Sequence, residues 1–338
     1  MTESEKPAGW LKWFKRLAIG VVILFVVLCV VPYFYPLSRY DAGKLHLPHD
    51  NGCMRLISGI NIYSRLWEPS VPVSGNVLLV HGFGSSTYAW EKIMPSLLSA
   101  GFRVVAADVP GLGYSDKNIT WPYSHDRNAE LLWSLVDIIG KERGVPANSA
   151  WIIVGHSIGG EIAVRMASQR PEKVNQVIMA AGAVSGGKPH PLSSIRFPPA
   201  RRWSMVIIEI LLRRSNVLSR FLGSAYGRVP TSEELKEYTA PLCVDGTTRA
   251  SYKIGDSHVG LAGVIDMLKD LRLPVSLIWG ENDKWVPPNQ GRRLAKLIGR
   301  PLIIIPGAGH CPMETHPEEF ARLLLTEMEK NQGRSFPN

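Results

Sequence analysis

Cysteine is scarce in this sequence, and several motifs that define common binding classes are missing. The chain has only four cysteines in 338 residues and no CxxC pair, which excludes a cysteine-rich zinc site and argues against a disulfide framework. The nine histidines include no HExxH or equivalent spacing, so the sequence predicts no metal site. No complete GxGxxG opens a helix, so a dinucleotide is not expected and no cofactor is predicted.

Positive charge is unevenly distributed along the chain. Of the formal net charge of +9, residues 1–44 contribute +3 and residues 184–256 contribute +5. A nucleic acid would be a common partner of so basic a protein, but no RRM, helix-turn-helix or zinc-finger signature accompanies the charge. We therefore expect no nucleic-acid binding.

The first basic segment contains a long apolar run. Residues 17–31 are uncharged and apolar, and residues 32–37 extend them to about the length of a bilayer-spanning helix. We predict a transmembrane anchor at 17–37, after a basic N-terminus at 1–16 and before a linker at 38–50. The positive-inside rule places the N-terminus in the cytoplasm and the rest of the chain outside, because more basic side chains precede the run than follow it: Lys6, Lys12, Lys15 and Arg16.

A cleaved signal peptide is the alternative interpretation, because both begin with a basic region followed by an apolar run. No small-x-small cleavage site follows the run. Trp10 and Trp13 precede it, and Tyr33 and Tyr35 lie at its end, as in the aromatic belts of membrane-spanning helices. These flanks favour an uncleaved single-pass anchor.

Beyond residue 50, short β-branched runs alternate with longer amphipathic ones, which is typical of a sheet covered by helices. The pattern predicts eight strands, at 54–58, 62–67, 76–80, 103–107, 150–154, 176–180, 275–279 and 302–305. Helices are predicted near 90–100, 127–142, 157–169, 257–269, 289–298 and 317–330. Residues 184–256 interrupt this α/β alternation. We interpret them as a helical lid, inserted after the sixth strand into a core formed by 51–183 and 257–332.

The strongest chemical signal is Gly155-His-Ser157-Ile-Gly159, which lies between a hydrophobic strand and a helix. A sharp turn from a strand into a helix forces strained backbone angles on the serine. The glycines of G-x-S-x-G have no Cβ atoms, which would clash in such a turn. The N-terminus of the following helix also lends positive potential to a developing oxyanion. Ser157 is therefore the predicted nucleophile.

This strand, turn and helix make residues 50–330 resemble the α/β-hydrolase superfamily. The resemblance implies a mostly parallel eight-stranded sheet with helices on both faces, and a triad ordered nucleophile, acid, histidine along the chain. Residues 280–287 (GENDKWVP) are similar to the acid motif GxxDxxVP, and residues 307–310 (GAGH) are similar to the histidine loop. The implied acid is Asp283, and the implied histidine is His310.

The resemblance also implies a role for each residue. Ser157 Oγ attacks a carbonyl, His310 accepts and later returns a proton, and Asp283 orients the imidazole and balances its positive charge. Glu281 is a poor substitute for Asp283, because the family motif places the carboxylate two residues later. All three triad residues follow predicted strands, at the carboxyl ends where sites in such sheets occur.

Two further loops resemble family motifs. His81-Gly82-Phe83-Gly84 follows the third predicted strand and is similar to the oxyanion loop. The implied donors are the backbone N–H groups of Phe83 and Ile158. Residues 108–115 (DVPGLGYS) resemble the DxPGxGxS loop, for which we predict a structural role.

The nucleophile separates this chain from some members of the superfamily. Epoxide hydrolases and haloalkane dehalogenases have aspartate where this chain has Ser157, so those reactions are not expected. Carbon–carbon bond hydrolases of ring-cleavage pathways use serine, and residues 81–86 (HGFGSS) resemble their loop, but they typically have asparagine in place of His156. A non-catalytic receptor or binding module is a third alternative, because neither fold nor triad determines function.

These features together predict a membrane-anchored serine hydrolase that cleaves a carboxylic ester of a lipophilic substrate, either a small molecule or a lipid. A serine hydrolase for a small soluble acid is the alternative. Anchored members that resemble this chain include monoacylglycerol lipases. In the lid, residues 201–214 place arginines at both ends of an apolar segment, and we expect this segment to contact the membrane. The alternative is that it only roofs the pocket. Pairing of Cys53 with Cys243 stays open, since an extracytoplasmic domain would allow it.

Overall fold

The computed structural model describes residues 8–37, 49–118, 120–182, 195–212, 214–257 and 263–332. They contain one eight-stranded sheet, whose strands are β1 (Gly52–Ile57), β2 (Ile60–Trp67), β3 (Gly75–Val80), β4 (Phe102–Ala107), β5 (Trp151–His156), β6 (Val174–Ala180), β7 (Val275–Gly280) and β8 (Leu302–Ile305). Every strand matches a predicted one, and no end differs by more than two residues. Short apolar runs bounded by turn residues were therefore sufficient to locate the sheet.

The strands follow the order β1-β2-β4-β3-β5-β6-β7-β8 across the sheet. β1 and β2 form an antiparallel hairpin, and both residues of its turn, Ser58 and Gly59, have positive φ, as this kind of tight turn requires. β2 also runs antiparallel to β4, whereas every pair from β4 to β8 is parallel. The carboxyl ends of β3, β5, β7 and β8 therefore lie at one edge, where the loops that leave them can meet.

Helices cover both faces of the sheet, because side chains alternate between the faces along each strand. Leu78 and Val80 of β3 face a core shared with α3 (His125–Glu142), α4 (Ile158–Gln169), α9 (Val264–Asp270) and α10 (Pro288–Ile298). Val77 and Leu79 face the other core, which contains a 3-10 helix at Thr87–Ile93, α2 (Met94–Ser99) and α12 (Pro317–Gln332). The predicted mostly parallel sheet with helices on both faces is confirmed.

Between β6 and α9, the described residues form four helices and no strand: α5 (Pro198–Leu212), α6 (Ser215–Tyr226), α7 (Ser232–Leu242) and α8 (Thr247–Ser257). They make up the lid, and the first residues of the predicted lid, up to 194, lie outside the described part of the chain. The prediction of one helix at 257–269 is wrong, because α8 ends at Ser257 and α9 begins at Val264. Gly263, which precedes α9, has a φ of 101°, and no continuous α-helix contains that angle.

The N-terminal apolar run forms α1 (Ala8–Val30), followed by a 3-10 turn at Val31–Tyr33. Residues 10–33 are long and apolar enough to span a membrane, and their most apolar stretch is unburied. This span begins seven residues and ends four residues before the predicted 17–37. The α-helix itself ends at Val30, because Pro32 has no N–H with which to continue it. A signal sequence meets the same criterion, so anchoring stays a prediction. Most of the predicted linker at 38–50 lies outside the described residues.

Candidate active site

The predicted nucleophile lies in a sharp turn between β5 and α4. Ser157 has φ 52° and ψ −118°, a strained conformation for a residue with a Cβ, and its N–H donates to the Ala180 carbonyl oxygen at 3.0 Å. A Cβ on Gly155 would lie 2.2 Å from the Gly159 carbonyl oxygen, and a Cβ on Gly159 would lie 2.2 Å from the Val80 carbonyl oxygen. Glycine is therefore required at both flanking positions, which explains the G-x-S-x-G spacing.

The predicted acid and histidine form a buried pair. Asp283 follows β7 and His310 follows β8, and His310 Nδ1 lies 2.8 Å from Asp283 Oδ2. The other carboxylate oxygen, Oδ1, accepts the backbone N–H groups of Trp285 and Val286 at 2.8 and 2.9 Å. Because an ionised carboxylate can only accept hydrogen bonds, the proton of the neutral imidazole is on Nδ1. Nε2 is then left with a lone pair that can accept a proton.

His310 also lies next to the turn that contains Ser157. His156, which directly precedes Ser157, has its ring centroid 4.7 Å from that of His310. Its Nε2 donates to the His310 carbonyl oxygen at 2.8 Å. Burial lowers the pKa of His156 well below its usual value, and the neighbouring His310 lowers it further. His156 is therefore neutral and places no second positive charge beside His310. The structure thus brings all three predicted residues into one region of the carboxyl edge.

The lid holds the backbone of the histidine loop. The N–H of His310 donates at 2.7 Å to the carbonyl oxygen of Ala225, near the end of α6. A Cβ on Gly309 would lie 2.4 Å from this oxygen, and a Cβ on Gly280 would lie 2.0 Å from the Gly309 carbonyl oxygen. Glycines in the acid motif and the histidine loop are therefore required by the close approach of β7, the histidine loop and α6.

The loop after β3 lies directly against the nucleophile turn. A Cβ on Gly82 would lie 3.0 Å from the Ser157 Cβ and 2.8 Å from His156 Nδ1. The backbone that leads to Phe83 therefore lies beside Ser157. Ile158 directly follows Ser157 and is the first residue of α4. The two expected N–H donors lie in these segments, and their role as an oxyanion hole stays a prediction.

Two buried side chains support this loop. His81 Nε2 accepts the Val109 N–H at 3.0 Å, and its Nδ1 donates to the Gly82 carbonyl oxygen at 2.7 Å. Burial lowers the pKa of His81 to about 4, so the ring is neutral, as this pair of hydrogen bonds requires. Asp108 accepts the N–H groups of Thr87 and Tyr114, both at 2.6 Å. These contacts give the loop after β4 the structural role predicted for it.

Aromatic side chains beside His310 were not identified from the sequence. The Trp285 ring stacks on the His310 ring, with ring centroids 5.3 Å apart and an interplanar angle of 30°. The ring centroid of Phe221, on α6, lies 4.8 Å from that of Trp285. Phe221 is 42% exposed, and Phe83 in the loop after β3 is 39% exposed. Apolar surface therefore adjoins the site from the lid and from this loop. The sequence signal for Trp285 was its position inside the acid motif, whereas Phe221 lies in no motif.

A buried carboxyl group near the site was also missed. Glu314 lies in the short helix α11 (Pro312–Thr315) and accepts the hydroxyl groups of Tyr226 at 2.5 Å and Tyr238 at 2.7 Å. Tyr238 also hydrogen-bonds with Ser85 Oγ at 3.2 Å, so the network joins the lid to the loops after β3 and β8. Burial raises the pKa of Glu314 to about 7, although the two hydroxyl groups lower it. No local motif marks these residues, because the lid brings them together.

Within the described residues, no three or more His, Cys, Asp or Glu side chains are grouped as metal ligands would be. Cys311, next to His310, is buried, and burial raises the pKa of its thiol well above the usual value. Cys311 is therefore a packed thiol rather than a competing nucleophile. Cys53 and Cys243 are both free in the structure.

Comparisons with known proteins agree with this fold. A family model described as "Alpha/beta hydrolase family" matches residues 77–323. The "Uncharacterized hydrolase YugF" of Bacillus subtilis (strain 168) is 28% identical over 264 residues, which cover 78% of this chain and 92% of that protein. A Pseudomonas putida protein named 2-hydroxy-6-oxononadienedioate/2-hydroxy-6-oxononatrienedioate hydrolase 2 is 27% identical over 259 residues, covering 74% and 86%. The solved structure of a membrane phospholipase A has a TM-score of 0.66 at 22% identity and covers 95% of this chain and 100% of its own.

Proposed function

Because the chain belongs to the alpha/beta hydrolase family, we propose that it is a membrane-anchored serine hydrolase that cleaves carboxylic esters of lipophilic acids. One observation carries the proposal. The buried pair of His310 and Asp283 lies next to the strained turn that presents Ser157. A hydroxyl group, a base and an orienting carboxylate in this arrangement are the groups that acyl transfer through a serine requires.

The proposed reaction has two stages. Nε2 of His310 accepts the Ser157 hydroxyl proton as Oγ attacks the ester carbonyl, and the N–H groups of Phe83 and Ile158 stabilise the oxyanion. The imidazolium then donates the proton to the leaving alcohol, and an acyl-enzyme forms. In the second stage, His310 accepts a proton from water as the water oxygen attacks the acyl carbon. The proton returns to Ser157 Oγ, and the carboxylic acid is released.

Apolar surroundings support a lipophilic acid. Phe83 and Phe221 expose aromatic surface next to the site, and Trp285 stacks on His310. Burial of an acyl chain against such surface contributes about 0.8 kcal/mol per CH₂ group. We therefore expect substrate affinity to rise with acyl chain length.

The N-terminal helix supports the proposed anchor. The membrane phospholipase A structure leaves 5% of this chain unmatched, which is fewer residues than the 23 of α1. The likeness in fold therefore includes at least part of α1. The basic residues before the apolar run support a cytoplasmic N-terminus and an extracytoplasmic catalytic domain.

Carbon–carbon bond hydrolysis is the second candidate, and the name of the Pseudomonas putida relative favours it. That name describes a hydrolase of a dienedioate, which carries two carboxylate groups. A dianionic substrate favours cationic side chains in the site, whereas the side chains that the described residues place against His310 are aromatic, imidazole and carboxylate groups. This contrast is the reason for proposing an ester first.

Parallel assays of the full-length protein in detergent and its Ser157→Ala variant test both candidates. The substrates are p-nitrophenyl esters from C2 to C16, monoacylglycerols in micelles, and 2-hydroxy-6-oxononadienedioate. We expect ester turnover that depends on Ser157 and rises with chain length. Labelling by a fluorophosphonate probe, which reacts with activated serines, should also require Ser157.

Each outcome separates the candidates. Serine-dependent loss of the dienedioate without ester turnover would replace ester cleavage by carbon–carbon bond hydrolysis. An absence of serine-dependent turnover on every substrate, together with no fluorophosphonate labelling, would refute both enzymatic hypotheses and favour a binding role.

A further inference from the structure

The end of the N-terminal helix is held by the lid. In an α-helix, each carbonyl oxygen accepts the N–H of the residue four positions later, and for Leu28 that residue is Pro32, which has no N–H. The indole N–H of Trp203, on lid helix α5, donates to the Leu28 carbonyl oxygen at 2.7 Å. A lid side chain therefore supplies the hydrogen-bond donor that the Leu28 carbonyl oxygen lacks within α1.

Arg202 strengthens the same contact. Its Nε donates to the Pro32 carbonyl oxygen at 3.1 Å, and its Nη2 donates to the Tyr35 carbonyl oxygen at 2.8 Å. Its guanidinium group also lies 5.9 Å from the Tyr33 ring centroid. A cation at this position offsets the negative end of the helix dipole of α1. We call the Arg202 and Trp203 contacts the anchor clamp.

The contact between lid and anchor extends along α1. Phe197, directly before α5, stacks on Phe25 with ring centroids 6.4 Å apart. Phe25 precedes Tyr33, the end of the apolar span, by eight residues, which corresponds to about 12 Å along a helix. The hydrocarbon core of a bilayer is about 30 Å thick. The start of α5 therefore lies at the depth of the acyl chains when α1 spans a bilayer.

The same side of α5 exposes aliphatic side chains. Three of these side chains form what we call the aliphatic stripe: Ile207, Ile210 and Leu211. They follow Trp203 by four, seven and eight positions, so they share its side of the helix, and they are 50%, 36% and 38% exposed. The other side of α5 is packed, and there the Thr248 hydroxyl donates to Glu209 Oε2 at 3.2 Å. An exposed apolar stripe beside a membrane-compatible helix suits hydrocarbon better than water.

We propose that α5 enters the lipid bilayer at its N-terminal end and lays the aliphatic stripe against the bilayer surface, and that the anchor clamp holds it there. The bilayer is then the partner that covers the aliphatic stripe. α6 packs against α5 and carries Phe221 to Trp285 beside His310, so apolar surface leads from the bilayer towards the site. This inference rests on the anchored esterase proposed above. It adds the substrate class, a lipid ester that reaches the site from the membrane through the lid.

Photocrosslinking of the full-length protein in phosphatidylcholine vesicles tests the insertion. The photoreactive p-benzoylphenylalanine replaces Ile207 in the aliphatic stripe, Ile23 in α1, or Leu297, which is 41% exposed on α10. A clickable phosphatidylcholine in the vesicles captures the crosslink. We expect the yield at Ile207 to exceed that at Leu297 by roughly tenfold, because only a residue that meets the bilayer captures lipid.

The two controls separate the possible failures. Crosslinking at Ile23 with a yield at Ile207 no higher than at Leu297 would overturn the insertion of α5 and leave the anchor intact. An absence of crosslinking at Ile23 would refute the anchoring itself, and the inference with it.

Substitutions in the anchor clamp test its effect on lipid turnover. Trp203→Phe and Arg202→Gln remove hydrogen bonds between α5 and α1, so turnover of an ester lipid in vesicles should fall about fivefold, while turnover of a short soluble ester stays within about twofold. Trp10→Phe, near the other end of α1, and Arg292→Gln, an exposed arginine on α10, are the matched controls.

The two substrates distinguish the clamp from the catalytic proposal. No loss on vesicles, or an equal loss on both substrates, would refute the function of the clamp. Failure of the unmodified protein to hydrolyse the soluble ester would instead refute the proposed function.

Discussion

Replacing Glu314 by glutamine should remove one cause of the pH dependence of stability. Burial raises the pKa of this carboxyl group from 4.5 to about 7 in the folded protein. Its two oxygens accept the Tyr226 and Tyr238 hydroxyl groups. Glutamine has nearly the same shape and no charge, and a hydroxyl group can rotate to accept from its amide. The substitution therefore removes the titration with little change in packing.

The sign and size of the effect follow from proton linkage. Between pH 4.5 and about 7 the folded protein binds this proton more tightly than the unfolded chain does, so stability falls as the pH rises through that window. From pH 5 to pH 8 the loss attributable to Glu314 is about 2.5 kcal/mol. For a chain of this size, such a loss lowers the Tm by roughly 5 °C. Glu314→Gln should lack this part of the decline.

Thermal unfolding in detergent, followed by tryptophan fluorescence from pH 5 to pH 8, measures the difference. Burial raises the pKa of Asp108 and lowers the pKa of Lys117, but both groups are present in both proteins. The informative quantity is therefore the Tm difference between wild type and variant at each pH. Glu318→Gln, an exposed change on α12, is the control. Parallel curves for wild type and Glu314→Gln would refute the claim that folded Glu314 retains its proton.

Two further predictions concern the triad and the nucleophile turn. Asp283→Asn removes the carboxylate that holds the proton on His310 Nδ1, so kcat on a short p-nitrophenyl ester should fall by about 10⁴-fold. Glu281→Gln should retain most activity, and a comparable loss there would contradict the assignment of Asp283. Gly159→Ala places a methyl group 2.2 Å from a β3 carbonyl oxygen, so the Tm should fall by several degrees, whereas Gly255→Ala, which meets open space, should change it little. An unchanged Tm in Gly159→Ala would contradict that close approach.

The strands and the site motifs could be predicted because their signals are local. A buried parallel strand is a short apolar run wherever it lies in the sheet, so β3 to β8 were recognisable without knowledge of their partners. The glycines beside Ser157 have the same local character, because the turn itself forbids a Cβ there. The single helix expected at 257–269 is not found, because Gly263 has a positive φ directly before the start of α9.

The pairing of His310 with Asp283 was predicted by resemblance, and it became a measured contact only in the fold. Motif order implied the pair, but the 2.8 Å distance depends on β7 and β8 lying side by side. The Trp285 ring on His310 was not anticipated, because a motif records spacing along the chain and not the direction of a side chain.

The sequence by itself determined the sheet, the position of the nucleophile turn and the presence of a membrane-compatible helix. Only the tertiary structure decided how the lid is connected to them. Tyr238 contacts Glu314 and Ser85, and Trp203 donates to Leu28, across 76, 153 and 175 residues of chain respectively. Such contacts have no periodicity or spacing in sequence. They exist because helix packing brings separate surfaces together, and each buried polar group then requires the partner that the packing supplies.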